Sequence, residues 1–196
     1  MSIIAVQQNA RSRRPRADGE RTVHIVQGEF HVTVDAGVML TTLLGSCVAA
    51  CLRDRDLAIG GMNHFLLPGQ ESDQEDGIPR DAERYGVHLM ELLVNGLLRQ
   101  GARRERLEAK LFGGARTMEG FADIGGRNAA FAERFLRHEG IALVGGSLRG
   151  EQGRRIQYWP ATGRARQVFL NNDQIPTTRH APMPPDPVSS GSVEFF

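Results

Sequence analysis

Three short segments with the composition of β-strands follow one another before any helical pattern begins. They cover residues 23–27, 29–34 and 38–44, are rich in β-branched and aromatic residues, and are separated by Gly28 and by a turn at residues 35–37. A doubly wound parallel sheet places a helix between successive strands. The clustering of the strands therefore predicts an α+β or mixed-sheet architecture instead.

Helical periodicity is confined to two later segments. Apolar residues recur at helical spacing from Asp81 to Gln100, where Gly101 provides a stop. Residues 128–140 predict a second amphipathic helix, closed by its terminal glycine. The remaining periodic segments predict strands at residues 57–68, 110–115 and 141–148, and then a hairpin with its turn at residues 161–163.

The length of the chain fits one well-buried domain, since 196 residues are too few for two comfortable ones. Residues 1–20 are polar, rich in arginine and without periodicity, which predicts a flexible arm. Residues 176–196 are dense in proline and serine, which predicts a flexible tail. We therefore expect one folded domain over residues 21–175.

The charge and hydropathy of the chain exclude several classes of partner. A formal net charge of +1 gives no electrostatic reason to expect nucleic acid or an anionic membrane surface. No apolar run approaches the roughly 20 residues that span a bilayer, and the first residues do not have the order of a secretory signal. We expect a cytoplasmic protein without membrane insertion, in which both cysteines are thiols.

Two stretches carry the residue types of a nucleophilic site, LLGSCVAAC at 43–51 and GGMNHFLLP at 60–68. Residues 47–54 have a helix-compatible composition, so the Gly45-Ser46 turn is predicted to deliver Cys47 to a helix N-terminus. Such a position lowers the pKa of a thiol, and its free N–H groups can hold an oxyanion. His64 is predicted on a strand beside the one that leads to Cys47, where it could act as a base.

Neighbouring residues are assigned to packing. Asn63 is predicted to point away from the site because successive strand residues face opposite sides. Cys51 is predicted one helical turn after Cys47, packed in the core. Gly113 and Gly114 lack the lysine and hydroxyl residue of a phosphate loop, so they predict a tight turn or a close backbone approach.

The residues alone leave other interpretations of Cys47 open. An isolated cysteine is more often a small buried hydrophobic residue than a nucleophile. The spacing of Cys47 and Cys51 also falls within the range of metal ligands, but no second Cys/His pair at matching spacing follows. We expect neither a metal nor a cofactor.

Several motifs together resemble the chemoreceptor glutamine deamidases of the CheD family. They occur in the family's order through most of residues 22–170. The motifs are TTLLGSCVAACLRD (41–54), GGMNHFLLP (60–68), RYG (84–86), AKLFGGARTM (109–118), IGGRN (124–128) and GRRIQYWPATG (153–163). The resemblance implies a mixed β-sheet sandwich flanked by helices and related to bacterial toxin deamidases.

The resemblance also implies the active site and the reaction. The family's cysteine, histidine and threonine fall on Cys47, His64 and Thr41, while Thr42 is expected to face the other side of its strand. Gly45 and Ser46 support the nucleophile turn. The implied reaction is hydrolysis of a receptor glutamine side-chain amide to glutamate and ammonia, with Cys47 as nucleophile.

The implied partners are the cytoplasmic domain of a chemoreceptor, as substrate, and a phosphatase of the CheC type, which the chain would bind and regulate. A papain-like protease or transamidase with the same dyad stays open as an alternative. The chain departs from the family at residues 147–150, where Ser-Leu-Arg-Gly replaces Asp-Leu-Gly-Gly. This departure is expected to alter the local loop and not the three site residues.

Overall fold

In the part of the chain that the structure describes, the fold consists of two mixed β-sheets and a layer of two α-helices. The computed structural model describes residues 20–68, 80–116 and 123–170. The strands are β1 (Arg21–His24), β2 (Phe30–Thr33), β3 (Val38–Leu44), β4 (Val48–Asp54), β5 (Gly60–Asn63), β6 (Leu107–Gly113), β7 (Ala142–Leu148), β8 (Arg154–Trp159) and β9 (Arg164–Phe169). The helices are α1 (Arg80–Arg99) and α2 (Ile124–His138). The predicted arm and tail lie outside the described residues, Glu20 excepted.

Each sheet combines parallel and antiparallel pairs. The first has the order β1-β3-β8-β9, with β1 parallel to β3 and the other neighbours antiparallel. The second has the order β2-β5-β4-β6-β7, in which β7 runs parallel to β6 and the rest are antiparallel. The α+β sandwich with helices is therefore confirmed, although both helices lie on one side of it.

Strand β4 lies between the two hydrophobic cores. Its residues alternate, so that Val48, Ala50 and Leu52 join the core beneath the helices. Ala49 and Cys51 join the core between the two sheets. Because both faces of β4 are covered, neither face needs polar residues.

The predicted helix over residues 47–54 is wrong, because this segment forms β4. The strand is hydrogen-bonded to β5 on one side and to β6 on the other. A short apolar run that is buried on both faces cannot be told from a buried helix by its periodicity. The small side chains of Ala49 and Ala50 suit either structure, and the two neighbouring strands decide between them.

Both amphipathic helices are confirmed, and they pack on the second sheet. The buried face of α1 includes Leu89, Leu93 and Leu97. Helix α2 begins four residues earlier than predicted because Asp123 caps it, accepting a hydrogen bond from Gly126 N at 2.8 Å. Within the described ranges, no helix has the length and apolar character needed to cross a membrane.

Candidate active site

His64 directly follows β5 and turns its side chain into the space between the sheets. Asn63 faces the helices, as predicted, since its Nδ2 donates to Leu89 O at 3.2 Å and its Oδ1 accepts from Ala50 N at 3.0 Å. The predicted neighbour of the histidine strand is wrong. Strand β5 pairs with β2 and β4, whereas β3, which leads to Cys47, belongs to the opposite sheet.

A turn at residues 25–29 holds the backbone of His64 from two directions. Gly28 N donates to His64 O at 2.8 Å, and His64 N donates to Glu29 O at 3.0 Å. The turn closes with a hydrogen bond from Glu29 N to Val26 O at 3.1 Å. It has glycine at its third position with φ +84°, a conformation that glycine adopts without strain.

The hydrogen bonds of the imidazole fix the position of its proton. His64 Nδ1 lies 2.9 Å from Thr42 Oγ1 and 3.5 Å from Ile25 O. The Thr42 hydroxyl donates its one proton to Ile25 O at 2.7 Å, so it can only accept from the imidazole. Nδ1 therefore carries the hydrogen, and Nε2 presents a lone pair. Nε2 is buried and has no hydrogen-bond partner within the described residues, which leaves it available as a base.

The structure places Thr42, and not the predicted Thr41, against His64. Leu40, Thr42 and Leu44 point from β3 toward the second sheet, and the leucines belong to the core between the sheets. Thr41 lies on the other face of β3, where its hydroxyl donates to Ile156 O at 2.7 Å. The two threonines are adjacent, identical and equally buried. Neither residue type nor burial therefore distinguishes the one that faces His64.

Cys47 and His64 share one face of the second sheet. Val48 and Phe65 form an antiparallel bridge, with both N–H···O bonds at 2.9 Å. This register places Ala49 opposite His64 and makes Cys47 the diagonal neighbour of His64 on the same face. Diagonal neighbours lie about 7–8 Å apart between their Cα atoms, a separation that a cysteine and a histidine side chain can bridge.

The backbone of residues 45–47 is held through three successive carbonyl groups. Gly45 O accepts from Ala115 N at 2.9 Å, Ser46 O from Asn128 Nδ2 at 2.9 Å, and Cys47 O from Gly114 N at 2.7 Å. In a trans peptide the N–H points opposite to the C=O. The N–H groups of Ser46 and Cys47 are therefore directed away from these partners. They are candidate oxyanion donors, supplied by a loop and not by the predicted helix terminus.

Gly113 lies directly against the nucleophile loop. Its φ is +104°, and a Cβ at this position would lie 2.1 Å from Cys47 O. Gly114 follows with φ +66° and donates the hydrogen bond to Cys47 O. The predicted close backbone approach at these two glycines is confirmed.

Asn128 is a supporting residue that the sequence analysis did not single out. It is fully buried in α2, and its Oδ1 accepts from Leu67 N at 2.9 Å while its Nδ2 donates to Ser46 O. The side chain thus ties the segment after His64 to the loop before Cys47. A polar residue on the apolar face of a predicted helix was the available signal, because such a group must find partners when it is buried.

Burial keeps the Cys47 thiol and the His64 imidazole uncharged at neutral pH. It raises the pKa of the Cys47 thiol to about 11, and the residue's own backbone N–H opposes this only in part. Burial lowers the pKa of His64 to about 4, against the opposing effect of Ile25 O. The low thiol pKa expected at a helix terminus is therefore not found. The thiol donates to Gln27 Oε1 at 3.7 Å, and in the described ranges no hydrogen bond joins it to His64.

Cys51 is a packing residue, as predicted. It lies in the core between the sheets, four residues after Cys47 and on the same face, because strand residues alternate. Complete burial raises the pKa of its thiol. Among the residues that the structure describes, no group of three or more His, Cys, Asp or Glu residues is placed to hold a metal ion.

The comparisons with known proteins agree with these motifs. Residues 66–168 match the family described as CheD chemotactic sensory transduction. A curated relative from Sinorhizobium medicae, named probable chemoreceptor glutamine deamidase CheD, is 57% identical over 92% of this chain and 98% of its own. Relatives of the same name from Rhizobium etli and Caulobacter vibrioides are 56% and 54% identical, over 90% and 91% of this chain and 96% of theirs. The chain belongs to the CheD family.

Solved structures are less similar to this CheD-family chain. A crystal structure of a Neisseria meningitidis protein of the DUF152 family has a TM-score of 0.43 and 11% identity, covering 67% of this chain and 63% of that one. This likeness is too low to support a conclusion about fold or function. The expected relation to bacterial toxin deamidases stays a prediction.

The departure from the CheD pattern at residues 147–150 leaves the loop attached to the site. Arg149, at a position where the resemblance implies glycine, takes the left-handed conformation with φ +67°. Its guanidinium pairs with both carboxylate oxygens of Glu133, at 3.0 and 2.6 Å. Its backbone N–H donates to Gly113 O at 2.8 Å, so the loop still supports the glycine beside Cys47.

Replacing Gly113 by alanine is expected to displace the Cys47 loop. The added methyl group would overlap Cys47 O, whereas at Gly101, with a similar φ of +96°, it would meet nothing within 4 Å. Both G113A and G101A pay the backbone cost of about 1 kcal/mol. In denaturant unfolding, we expect the free energy of unfolding to fall by at least about 2 kcal/mol more in G113A than in G101A, because only G113A adds a backbone clash. Equal losses would show that the contact with Cys47 does not constrain the loop.

The buried neutral His64 is expected to make folding stability depend on pH. Its folded pKa of about 4 lies below the ordinary 6.5, so between these values the unfolded chain binds the proton and the folded chain does not. The neutral His64 thus contributes on the order of 3 kcal/mol to the free energy of unfolding, and this contribution is complete above pH 6.5 and is lost as the pH falls toward 4. When urea unfolding is measured at a series of pH values from neutral to acid, the free energy of unfolding of H64Q should fall less steeply than that of wild type. H138Q, at an exposed histidine, serves as control, and parallel curves for wild type and H64Q would contradict the assignment.

Proposed function

We propose that the chain is a protein-glutamine deamidase of chemotaxis adaptation, which hydrolyses glutamine side-chain amides of chemoreceptors to glutamate and ammonia. The supporting observation is the shared face on which a thiol and an imidazole with a free Nε2 lie together beside two outward N–H groups. The names of the CheD relatives supply the substrate class. The substrate is the cytoplasmic region of the receptor, which places the reaction in the cytoplasm.

In the proposed reaction Cys47 attacks the carboxamide carbon while His64 Nε2 takes the thiol proton. The N–H groups of Ser46 and Cys47 stabilise the oxyanion of the tetrahedral intermediate. The imidazolium then protonates the amide nitrogen, which leaves as ammonia, and an acyl-thioester remains on Cys47. Nε2 next deprotonates a water that attacks the thioester, and its proton returns to the departing sulfur, releasing glutamate.

Thr42 and Ile25 O hold the imidazole during both proton transfers. Their hydrogen bonds keep the hydrogen on Nδ1, so Nε2 is the nitrogen that exchanges protons. Ile25 O also stabilises the imidazolium once it forms, since a carbonyl oxygen near Nδ1 raises the pKa of the ring. This assigns to Thr42 the orienting role that the family resemblance gave to Thr41.

The deamidase assignment is tested by incubating the protein with a receptor cytoplasmic fragment and measuring ammonia release and the mass of the receptor peptides. Wild type should convert specific glutamines to glutamates without cutting the chain. C47A should lose nearly all activity, because it removes the proposed nucleophile; C51A, at a packed cysteine, is the matched control. Receptor fragments would indicate a protease instead, and full activity in C47A would refute cysteine catalysis. A CheC-type phosphatase partner stays a prediction, and C47A should still bind it.

Isosteric removal of each threonine hydroxyl distinguishes the two candidates for the orienting residue. T42V leaves Nδ1–H with only Ile25 O at 3.5 Å, so kcat/KM should fall at least about tenfold, a part of what a positioned general base contributes. T41V loses a bond to Ile156 O and should reduce stability while leaving kcat near that of wild type. Steady-state kinetics and denaturant unfolding of both variants give the answer. The reverse pattern would return the role to Thr41.

A further inference from the structure

The carboxamide of Gln27 touches the sulfur of Cys47, and the reaction described above makes no use of it. Its Oε1 lies 3.7 Å from Cys47 Sγ and accepts the thiol hydrogen. Gln27 is exposed, yet its backbone belongs to the turn that holds His64. The next residue, Gly28, donates to His64 O, so the same short turn positions the histidine and directs the glutamine to the nucleophile.

The proposed reaction places negative charge beside the Gln27 carboxamide twice. The charge appears on the sulfur when the thiol loses its proton, and then on the substrate oxygen after attack. Within the described residues, no lysine or arginine side chain makes a hydrogen bond or ion pair with Cys47, and burial opposes the thiolate. A polar group in contact with the sulfur is therefore well placed to offset this charge.

A carboxamide can serve the neutral and the charged states in turn. Its oxygen accepts from the resting thiol, while its NH₂ group donates to a thiolate or an oxyanion, and a half-turn about the last side-chain bond exchanges the two ends. The exposed side chain of Gln27 has room for this rotation. A carboxylate or a hydrocarbon at the same position could not donate.

We propose that Gln27 is a further catalytic residue, whose side-chain NH₂ stabilises the negative charge first on Cys47 Sγ and then on the carboxamide oxygen of the substrate. Together with the N–H groups of Ser46 and Cys47 it completes the set of donors around the reacting atoms. The second half of this role rests on the proposed deamidase function, whereas the effect on the sulfur does not.

Two variants of similar size separate the roles of the glutamine. Q27E keeps the shape but removes the donor and adds a like charge, so the alkylation of Cys47 by iodoacetamide near neutral pH should slow about tenfold, as its pH profile moves up by about one unit. Q27M keeps the length without polar atoms. Its kcat for deamidation should fall on the order of 100-fold, the usual cost of one lost oxyanion donor, with KM changed less than about threefold.

The control is Q100E, the same change at an exposed glutamine directly after α1, and it should match wild type in both measurements. C47A protein gives the background alkylation of Cys51. A wild-type alkylation profile in Q27E, or a kcat within about threefold of wild type in Q27M, overturns the proposal. Full deamidase activity in C47A would instead refute the proposed function. The alkylation profile of Q27E would then test, independently of deamidation, whether Gln27 stabilises negative charge on the sulfur.

Discussion

The antiparallel bridge between Val48 and Phe65 is the contact on which the candidate site depends. It sets the register that makes Cys47 and His64 diagonal neighbours, and both of its residues are fully buried beneath the helices. Phe65 also meets Phe131 of α2 edge to face, with ring centroids 5.7 Å apart. Cys47 lies on a loop, but its position relative to His64 is set by hydrophobic packing on the other side of the sheet.

The candidate site is organised by neutral hydrogen bonds, and within the described residues no ion pair joins Cys47 and His64. Burial favours the protonated thiol and the neutral imidazole alike. The proton therefore stays on Cys47 in the free protein. Such a site gains selectivity, because a thiol that is rarely ionised reacts slowly with other electrophiles.

The sequence predicted the parts of the fold whose patterns are local, and the errors fall where distant contacts decide. Amphipathic periodicity located α1 and α2. The motif resemblance singled out Cys47 and His64, which lie on one face of the second sheet. The segment after Cys47 became a strand only because two other strands lie beside it. The choice between Thr41 and Thr42 depended on which face of β3 meets the second sheet. Asn128 was missed because its partners lie 61 and 82 residues away.

The loop that follows β7, at residues 149–150, is linked to Cys47 through three successive contacts. Glu133 holds the Arg149 side chain, the Arg149 backbone holds Gly113, and Gly113 fits against the carbonyl of Cys47. The first of these contacts is a half-exposed ion pair, which salt screens. The other two involve uncharged backbone groups, so salt does not screen them. Substitutions at the surface of α2 and in this loop can therefore shift the turn at Cys47 without any change in Cys47, His64 or Thr42.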